Sequence, residues 1–372
     1  MEAEVALVKC KNYTPSLVEQ AIRRSIELLG GIEKFVRPRS RVLLKPNLLM
    51  AKEPEFGITT HPEVVRAVAR VLKGIGCELF IGDGPSVWGN QIENVDEVYK
   101  KTGIVRISEE EGIKIVKFDK SRWQGNFPLT SWLADCDSFV SLPKFKTHEL
   151  TVLTAAIKNL FGLVTGAYKT ELHRKYPKQE EFCGMLVDIY EQARPCLTVV
   201  DAITAMEGDG PASGGRLRSR GFLLAGVDCV ALDSILALIM GLEPSDILTT
   251  KQAAGRNLGI AEVSSMRILG ERLQDVTQEP FQLPSTSIIH KIPRPVIKAI
   301  AGLVRFYPEV NHHNCTLCGA CIPACPEKVI SINDSRISID CSGCISCFCC
   351  QEACPYSAIN VKRSLAAKLL RL

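Results

Sequence analysis

Cysteine is the residue type best placed to do chemistry in this chain of 372 residues, because ten of its sixteen cysteines lie between residues 315 and 354. Eight of them form two runs of identical spacing, Cys315-x2-Cys318-x2-Cys321-x3-Cys325-Pro326 and Cys344-x2-Cys347-x2-Cys350-x3-Cys354-Pro355. Thiolates three residues apart can hold one compact iron–sulfur group from a single loop. A structural zinc site is the alternative, but four ligands satisfy zinc, which has no use for two interlocked quartets. The spacing therefore predicts two [4Fe–4S] clusters.

The two cysteine runs repeat each other along the chain. Each ligand of the first run recurs 29 positions later, from Cys315 to Cys344 and from Cys325 to Cys354. In bacterial-type ferredoxins, three thiolates of one such run share a cluster with the fourth thiolate of the other run. We therefore expect two half-domains related by a pseudo-twofold axis.

Two further cysteines, Cys341 and Cys349, crowd the second run. A run that began at Cys341 would have its fourth ligand at Gln351, whereas the run that begins at Cys344 ends on Cys354-Pro355. The predicted ligand sets are therefore Cys315, Cys318, Cys321 and Cys354 for one cluster, and Cys344, Cys347, Cys350 and Cys325 for the other. Cys341 and Cys349 are expected to be packing residues or thiols beside a cluster, where a thiol can shift the cluster potential.

The remaining composition indicates an intracellular protein. The cysteines outside the cluster region are scattered and look like buried thiols of a reducing compartment: Cys10, Cys77, Cys136, Cys183, Cys196 and Cys229. The chain starts with no basic-then-apolar signal region, and no apolar run approaches about 18 residues, so we predict a cytoplasmic protein without a transmembrane segment. The formal net charge of +4 is too small to imply nucleic-acid binding.

Short β-branched runs alternate with helical patterns through residues 1–278. The predicted strands are Glu4–Cys10, Arg41–Leu44, Glu78–Ile81, Ile113–Phe118, Asp137–Ser141, Leu197–Ala202, Phe222–Ala225 and Met266–Leu269. The predicted helices are Pro15–Leu29 with Thr14 as its cap, a helix from Pro62 through Leu72 that begins near Thr60 or His61, and the apolar Cys229–Leu242. This alternation predicts an α/β domain with a mostly parallel sheet flanked by helices.

The chain divides into four predicted segments. Residues 1–278 form the α/β domain, 279–310 a proline-rich linker, and 311–363 a small α+β domain of the two-cluster ferredoxin type. Pro295–Phe306 in the linker has the pattern of a short amphipathic helix. Residues 364–372 form a basic amphipathic tail, which packs on the cluster domain or, alternatively, touches a membrane or a partner.

Polar side chains gather where the predicted strands of the large domain end, which is where open parallel sheets bind ligands. Ammonium groups and an amide at such a place suit an anionic ligand, either a carboxylate or a phosphate. The predicted ligand-binding residues are Lys45, Asn47, Lys144, Lys158, Asn159 and Glu207. The predicted proton-transfer residues are His148, His173 and Lys146.

Each of these residues also has an ordinary interpretation. A lysine at a strand end is commonly just solvated, and a lone histidine is commonly structural. The turn Gly82–Ser86 lacks both the dinucleotide fingerprint and a Walker-type lysine, so it predicts no nucleotide site. Asp201, Asp228 and Asp233 are expected to cap helices or to pair with the lysines. The predicted cleft therefore depends on several such groups sharing one kind of location.

Four segments of the large domain resemble the family called domain of unknown function 362. They are Lys45-Pro46-Asn47, Leu142-Pro143-Lys144-Phe145-Lys146-Thr147-His148, Ile157-Lys158-Asn159-Leu160-Phe161-Gly162, and Val200-Asp201-Ala202 with Glu207-Gly208-x-Gly210-Pro211. The second cysteine run, Cys349 included, is similar to the branch of that family that carries a C-terminal two-cluster ferredoxin domain. The resemblance extends from about Lys9 to Val361 and implies an iron–sulfur redox protein, but it implies no particular reaction.

These observations lead to two functional hypotheses. The first is an electron-transfer protein that relays low-potential electrons through both clusters to a partner reductase. The second is an iron–sulfur reductase that holds an anionic substrate or an organic cofactor in the lysine-rich cleft, although no motif supports a flavin. A third hypothesis, in which the clusters only stabilise the fold, is disfavoured because two clusters in this spacing favour electron transfer. The sequence identifies neither the electron donor nor the acceptor.

Overall fold

The computed structural model describes residues 2–85, 95–212, 214–277, 281–286, 305–364 and 367. A ten-stranded sheet forms the large domain, and β5 (Ser121–Gln124) and β6 (Phe127–Thr130) form a separate hairpin. The sheet contains β1 (Ala3–Lys9), β2 (Arg41–Pro46), β3 (Glu78–Ile81), β4 (Lys114–Ile115), β7 (Ser138–Leu142), β8 (Lys144–His148), β9 (Val152–Thr154), β10 (Leu197–Gly208), β11 (Gly215–Gly226) and β12 (Met266–Gly270).

Helices connect these strands on both sides of the sheet. They are α1 (Pro15–Leu28), α2 (Pro62–Gly74), α3 (Val95–Lys101), α4 (Ile104–Glu111), α5 (Trp132–Asp135), α6 (Ala156–Asn159), α7 (Tyr168–Lys175), α8 (Gln179–Gln192), α9 (Cys229–Ile239) and α10 (Leu248–Gly255).

Neighbouring strands of the large sheet are mostly parallel, as the sequence predicts. Their order is β12-β1-β11-β10-β7-β2-β3-β4, with β8 joined to β10 and β9 to β8. Alternate residues of β2 enter opposite cores, because Leu43 packs with α8 and α9 whereas Val42 and Leu44 pack with α1 and α2. A sheet covered on both faces explains why its central strands are almost continuously apolar. The α/β prediction is confirmed.

Two strands of the large domain differ from their predicted extents in ways that matter for the site. Lys144–His148, which lies beyond the end of the predicted strand Asp137–Ser141, is strand β8, and its residues Lys144 and Lys146 lie opposite Asp201 and Met206 of β10. The strand predicted to end at Ala202 continues to Gly208 because β11 pairs with it along its whole length. A local sequence pattern predicts that a lysine is exposed. Here Lys144 and Lys146 are buried because other elements of the fold pack around them and supply their hydrogen-bond partners.

Smaller differences concern caps and an edge. The predicted strand Ile113–Phe118 is reduced to the two residues of β4 at the sheet edge. Thr14 precedes α1 without a side-chain hydrogen bond to it. His61 caps α2, since its Nδ1 accepts a hydrogen bond from the backbone N–H of Glu63 at 3.2 Å. Asp228 caps α9 through the backbone N–H groups of Val230 and Ala231, as expected.

The small domain consists of two equivalent halves. Its elements are β13 (Phe306–Val310), α11 (Cys321–Ala324), β14 (Ile330–Asn333), β15 (Arg336–Ile339), α12 (Cys349–Glu352) and β16 (Ile359–Arg363). Strand β14 pairs with β15, and β13 pairs with β16. Left-handed backbone recurs at the same 29-residue separation, at Leu317 and Ser346, Gly319 and Phe348, and Lys328 and Ser357. Because such backbone is uncommon outside glycine, its recurrence supports the expected pseudo-twofold repeat.

Some predicted segments fall outside the described residues. Strand β13 begins at Phe306, inside the predicted linker, but residues 287–304 lie outside, and with them nearly all of the predicted helix Pro295–Phe306. Most of the tail 364–372 and Ser86 also lie outside, so the four-segment division stays a prediction. Among the helices of the described ranges, none has the length and apolar character needed to cross a bilayer.

Candidate functional site

The cysteines of the small domain surround two separate cavities. One is lined by Cys315, Cys318, Cys321 and Cys354, and the other by Cys325, Cys344, Cys347 and Cys350. These are the two quartets predicted from the register that begins at Cys344, and Cys341 and Cys349 line neither cavity. Each cavity brings three thiols of one run together with the fourth thiol of the other run. This donor set fits a [4Fe–4S] cluster in each half.

Backbone N–H groups point at sulfur in both quartets. Ser346 N lies 3.4 Å from Cys344 Sγ, and Ala358 N lies 3.3 Å from Cys354 Sγ. Hydrogen bonds to ligand sulfur stabilise the reduced, more negative state of a cluster and so raise its potential. Ser346, which provides one of these two N–H donors, has left-handed backbone.

Helix α12 connects the second cysteine quartet to the large domain. Its Cys350 lines the second cavity, and its Glu352 is buried against the large domain, where Glu352 Oε1 lies 2.9 Å from Nε2 of His148. The two atoms are in contact without hydrogen-bond alignment. Glu352 also lines a cleft of the large domain that contains about 640 Å³ of unfilled space, part of it open to solvent. The cleft and the second quartet are therefore joined by one helical turn.

The cleft is lined by residues that follow strands of the sheet and by residues of β8, β9, α6 and α7. They are Asn47, Leu48, Leu49, Asp83, Gly84, Lys146, Thr154, Lys158, Asn159, Phe161, Gly162, Lys169, His173 and Pro211, together with Glu352. Helix α6 presents Lys158 and Asn159, and its orientation is fixed by Asp233 of α9, which accepts hydrogen bonds from Ala156 N at 2.7 Å and Ile157 N at 3.1 Å. Burial raises the pKa of Asp233 to about 7, although these two bonds oppose the rise.

Two of the predicted lysines are held in buried ion pairs. Lys45 Nζ donates to Asp83 Oδ1 at 2.7 Å and to Asn159 Oδ1 at 3.2 Å, directly behind the cleft wall. Lys144 Nζ donates to Asp201 Oδ2 at 2.9 Å and to the Tyr13 hydroxyl at 2.7 Å, away from the cleft. Burial lowers the pKa of both lysines, and their carboxylate partners oppose this shift.

Within the described ranges, the other lysines of the cleft form no ion pair with a carboxylate. Lys146 Nζ donates to the carbonyl of Ile58 at 2.6 Å, and burial together with the nearby Lys158 lowers its pKa to about 7. Lys158 has no hydrogen-bond partner among the described residues, and burial lowers its pKa although Glu352 opposes the shift. Lys169 donates to the Gly84 carbonyl, and burial lowers its pKa to about 8.

The two histidines near the cleft are neutral at pH 7. Burial lowers the pKa of His148 to about 4, and its Nδ1 accepts a hydrogen bond from Leu150 N at 3.0 Å, so Nε2 carries the proton that faces Glu352. His173 stacks on Phe182 with ring centroids 4.4 Å apart, and burial lowers its pKa to about 3. Burial would raise the pKa of Glu352, but His148, Lys158 and His173 outweigh it and bring the pKa to about 2.

The structure therefore separates the predicted residues into three groups. Asn47, Lys146, Lys158, Asn159 and His173 line the cleft. Lys45 lies behind the wall, and His148 touches the cleft residue Glu352. Lys144 and Glu207 lie elsewhere, because Glu207 is buried against Arg216 and the backbone N–H of Gln282. Sequence reasoning did not select Glu352, Asp83 or Thr154. Asp83 followed a predicted strand, which was a usable signal, whereas Glu352 lay within the cysteine run and had none.

Comparison with known proteins fits this geometry. Residues 42–237 match the family described as "Domain of unknown function (DUF362)", and residues 307–355 match the 4Fe-4S dicluster domain. The first match covers more than half of the chain, including β2, β8, α6 and α9. The chain belongs to the DUF362 family. With the dicluster domain it is an iron–sulfur protein of that family.

A curated relative and two solved structures show how far the likeness extends. This DUF362 protein is 34% identical over 267 residues to a thylakoid-associated protein of Synechocystis sp.. The matched region covers 70% of this chain and 81% of that protein. A crystal structure of a Thermotoga maritima protein is 15% identical with a TM-score of 0.33, and this chain spans 55% of it. A loganic acid methyltransferase with SAH is 11% identical with a TM-score of 0.25. Both TM-scores are too low to indicate a shared fold.

Proposed function

We propose that this DUF362 protein is an iron–sulfur reductase whose small domain delivers electrons to an anionic substrate in the cleft. The observation that carries the proposal is helix α12, on which Cys350 lines the second cysteine cavity while Glu352 reaches the cleft two residues later. When bound, the two clusters supply one electron each. The overall reaction adds two electrons and two protons to the substrate, and the electrons come from a low-potential redox protein.

Of the eight predicted ligand cysteines, the exposed one belongs to the first quartet, which suggests the direction of electron flow. Cys318 of the first quartet is exposed, and Leu317 and Tyr356 beside it are exposed apolar residues. Apolar side chains around an exposed cluster ligand suit a transient contact with a redox partner. Electrons would arrive at the first quartet and leave at the second, on the side of the cleft.

Lys146 is the best candidate for the proton donor in the cleft. A general acid works best when its pKa lies near the working pH, and that of Lys146 is about 7. His148 is less suited, because its Nδ1 is occupied by the backbone and its Nε2 faces Glu352. In this mechanism Lys158 binds the anion, Asn159 steadies Lys45 behind the wall, and Phe161 limits the access of water.

Reoxidation of the reduced protein by small molecules tests the proposal. Anaerobically purified protein, with about eight iron and eight sulfide per chain, is reduced with dithionite, freed of excess reductant and mixed with candidate anionic oxidants. We expect one class of anion to restore cluster absorbance in the wild type and Lys146→Met to slow this at least about tenfold. Intact clusters that no small oxidant restores, in a protein that still reduces a partner protein, would contradict the reductase.

A relay to a partner reductase is the second candidate, and the exposed surface around Cys318 favours it. In that case the cleft is a remnant or a regulatory site, and Lys146→Met would transfer electrons to the partner at the wild-type rate. The cytoplasmic location also stays part of the proposal, and the curated relative is described as thylakoid-associated. Fractionation of cells followed by immunodetection would decide between the cytoplasm and a membrane surface.

A further inference from the structure

The cleft carries an excess of positive charge among the described residues that line it. Lys146, Lys158 and Lys169 contribute three ammonium groups, and Asp83 and Glu352 contribute two carboxylates. Asp83 is already matched by Lys45 at 2.7 Å behind the wall. When all three lysines are protonated, three cations face one remaining carboxylate, which leaves an excess of two positive charges.

Several buried polar atoms in residues that line the same cleft have no hydrogen-bond partner in the described part of the chain. They are Oγ1 of Thr154 and Nδ1 of His173, in residues that are 3% and 4% exposed, and Oδ1 of Asn47. A buried polar atom without a partner costs about 1–3 kcal/mol. Unpaired hydrogen-bonding groups in residues that line a positively charged space favour a ligand with polar atoms besides its charges.

The wall of the cleft is rigid where it meets the Lys45–Asp83 pair. A Cβ atom at Gly162 would lie 2.2 Å from Asp83 Oδ1 and 2.6 Å from Lys45 Nζ, so only glycine lets the chain pass this close to the pair. A Cβ at Gly84 would lie 2.7 Å from Lys169 Nζ and from the Gly162 carbonyl. Two close-packed backbone segments therefore limit the ligand to a small molecule.

We propose that the cleft binds a small organic dianion, with one anionic group held by Lys146 and Lys158 and the second directed towards Lys169. This inference rests on the proposed function and names its substrate class. A dianion cancels the excess charge, whereas a monoanion leaves one ammonium group buried without compensation, which is costly. Dicarboxylates and phosphomonoesters share this chemistry, and the experiment separates them.

Calorimetric titration of the full, cluster-containing chain with succinate, phenyl phosphate and acetate tests the dianion site, because both of the first two are mostly dianions at the pH of the titration. We expect at least one dianion to bind at least about tenfold more tightly than acetate at pH 6.5. Tighter binding of succinate identifies a dicarboxylate site, and tighter binding of phenyl phosphate identifies a phosphate-ester site. Equal affinity for acetate and both dianions, or no binding of any probe, overturns the proposal.

Charge-removing variants locate the site. Lys146→Met and Lys158→Met should each weaken dianion binding at least about tenfold, because each removes a charge-assisted hydrogen bond. Lys178→Met, which removes an equal charge from a side chain that is 78% exposed, should leave the affinity unchanged. If Lys178→Met weakens binding as much as the cleft variants, binding reflects only net charge and the proposal fails.

The outcomes for the reductase and for the dianion site can be told apart. Dianion binding without reoxidation of the reduced clusters by any small molecule would retain the site and remove the reductase. Reoxidation by a monoanionic oxidant that Lys146→Met slows, without dianion binding, would retain the reductase and remove the dianion.

Discussion

This DUF362 protein has lysines in two buried ion pairs and lysines in its cleft. Both sets follow or occupy strands, but they differ in their hydrogen-bond and ion-pair partners. Lys45 and Lys144 each contact one carboxylate at hydrogen-bond distance, from Asp83 and Asp201. Among the described residues, Lys146 has only a backbone carbonyl as partner, and Lys158 has no hydrogen-bond partner. A paired lysine can be a structural feature of the fold. An unpaired one destabilises the fold unless a ligand compensates it, so the second kind marks the site.

The largest effect should come from breaking a pair. Asp83→Asn leaves Lys45 buried without a carboxylate, and loss of one partner of such a pair costs about 3–5 kcal/mol. Urea denaturation followed by circular dichroism measures the change. The double variant Lys45→Met, Asp83→Leu removes both charges and should recover most of the loss. Asp83→Asn with wild-type stability would mean that the two kinds of lysine do not differ in this way.

Removing an unpaired lysine should instead raise the free energy of unfolding. The pKa of Lys146 is lowered from 10.5 to about 7, so the unfolded state holds more protons between these pH values and the wild type gains stability as pH rises from 7 to 10.5. At pH 7 and below the buried charge is a cost, and Lys146→Met should stabilise the protein by roughly 2–4 kcal/mol.

The pH profile distinguishes this cause from better packing. Denaturation at pH 7 and at pH 10 should show that the stabilising effect of Lys146→Met shrinks as the pH rises. Groups that face Lys146 are Lys158, Glu352, Lys144 and Asp83, so the same titration in Lys158→Met shows how much that neighbour contributes. A gain in stability that stays constant with pH would assign it to packing instead.

A smaller effect is expected at the boundary between the two regions. Gly162→Ala places a methyl group against both Asp83 and Lys45 and should cost about 1–3 kcal/mol through overpacking. Gly74→Ala is the matched control, because nothing lies within 4 Å of a Cβ at that position at the end of α2. If the two variants unfold at the same urea concentration, the wall is less rigid than the structure implies.

The smallest effect should come from Glu207, which the sequence suggested as a ligand-binding residue. Its side chain accepts hydrogen bonds from Arg216 Nη2 at 2.6 Å and from Gln282 N at 3.1 Å, outside the cleft. Glu207→Gln keeps the shape of the side chain and should leave dianion affinity within about twofold of the wild type, which lies inside the usual scatter of remote substitutions. A loss of dianion affinity as large as that caused by Lys158→Met would show that Glu207 takes part in the site.

Local sequence determined most strands of the large sheet and indicated the iron–sulfur clusters. The spacing of the two cysteine runs depends on covalent reach alone, so it predicts the iron–sulfur chemistry and the repeat without knowledge of the fold. The alternation of apolar strands and helices likewise predicts the parallel sheet, because continuous apolar strands need cover on both faces. The lysine and histidine positions at strand ends could be named for the same reason, as parallel strands direct their carboxyl ends to one edge.

Tertiary structure alone decided which of those residues share the cleft. Lys144 and Lys146 are two residues apart on β8 and look alike in sequence, but Asp201 lies at hydrogen-bond distance from only one of them. Glu352 enters the cleft from about 200 positions away in the chain, through a turn that also carries Cys350. Burial and pairing are set by contacts between distant segments, and a local pattern holds no information about them. For this reason the sequence predicts that the chain binds clusters, and only the fold brings a cleft beside one of them.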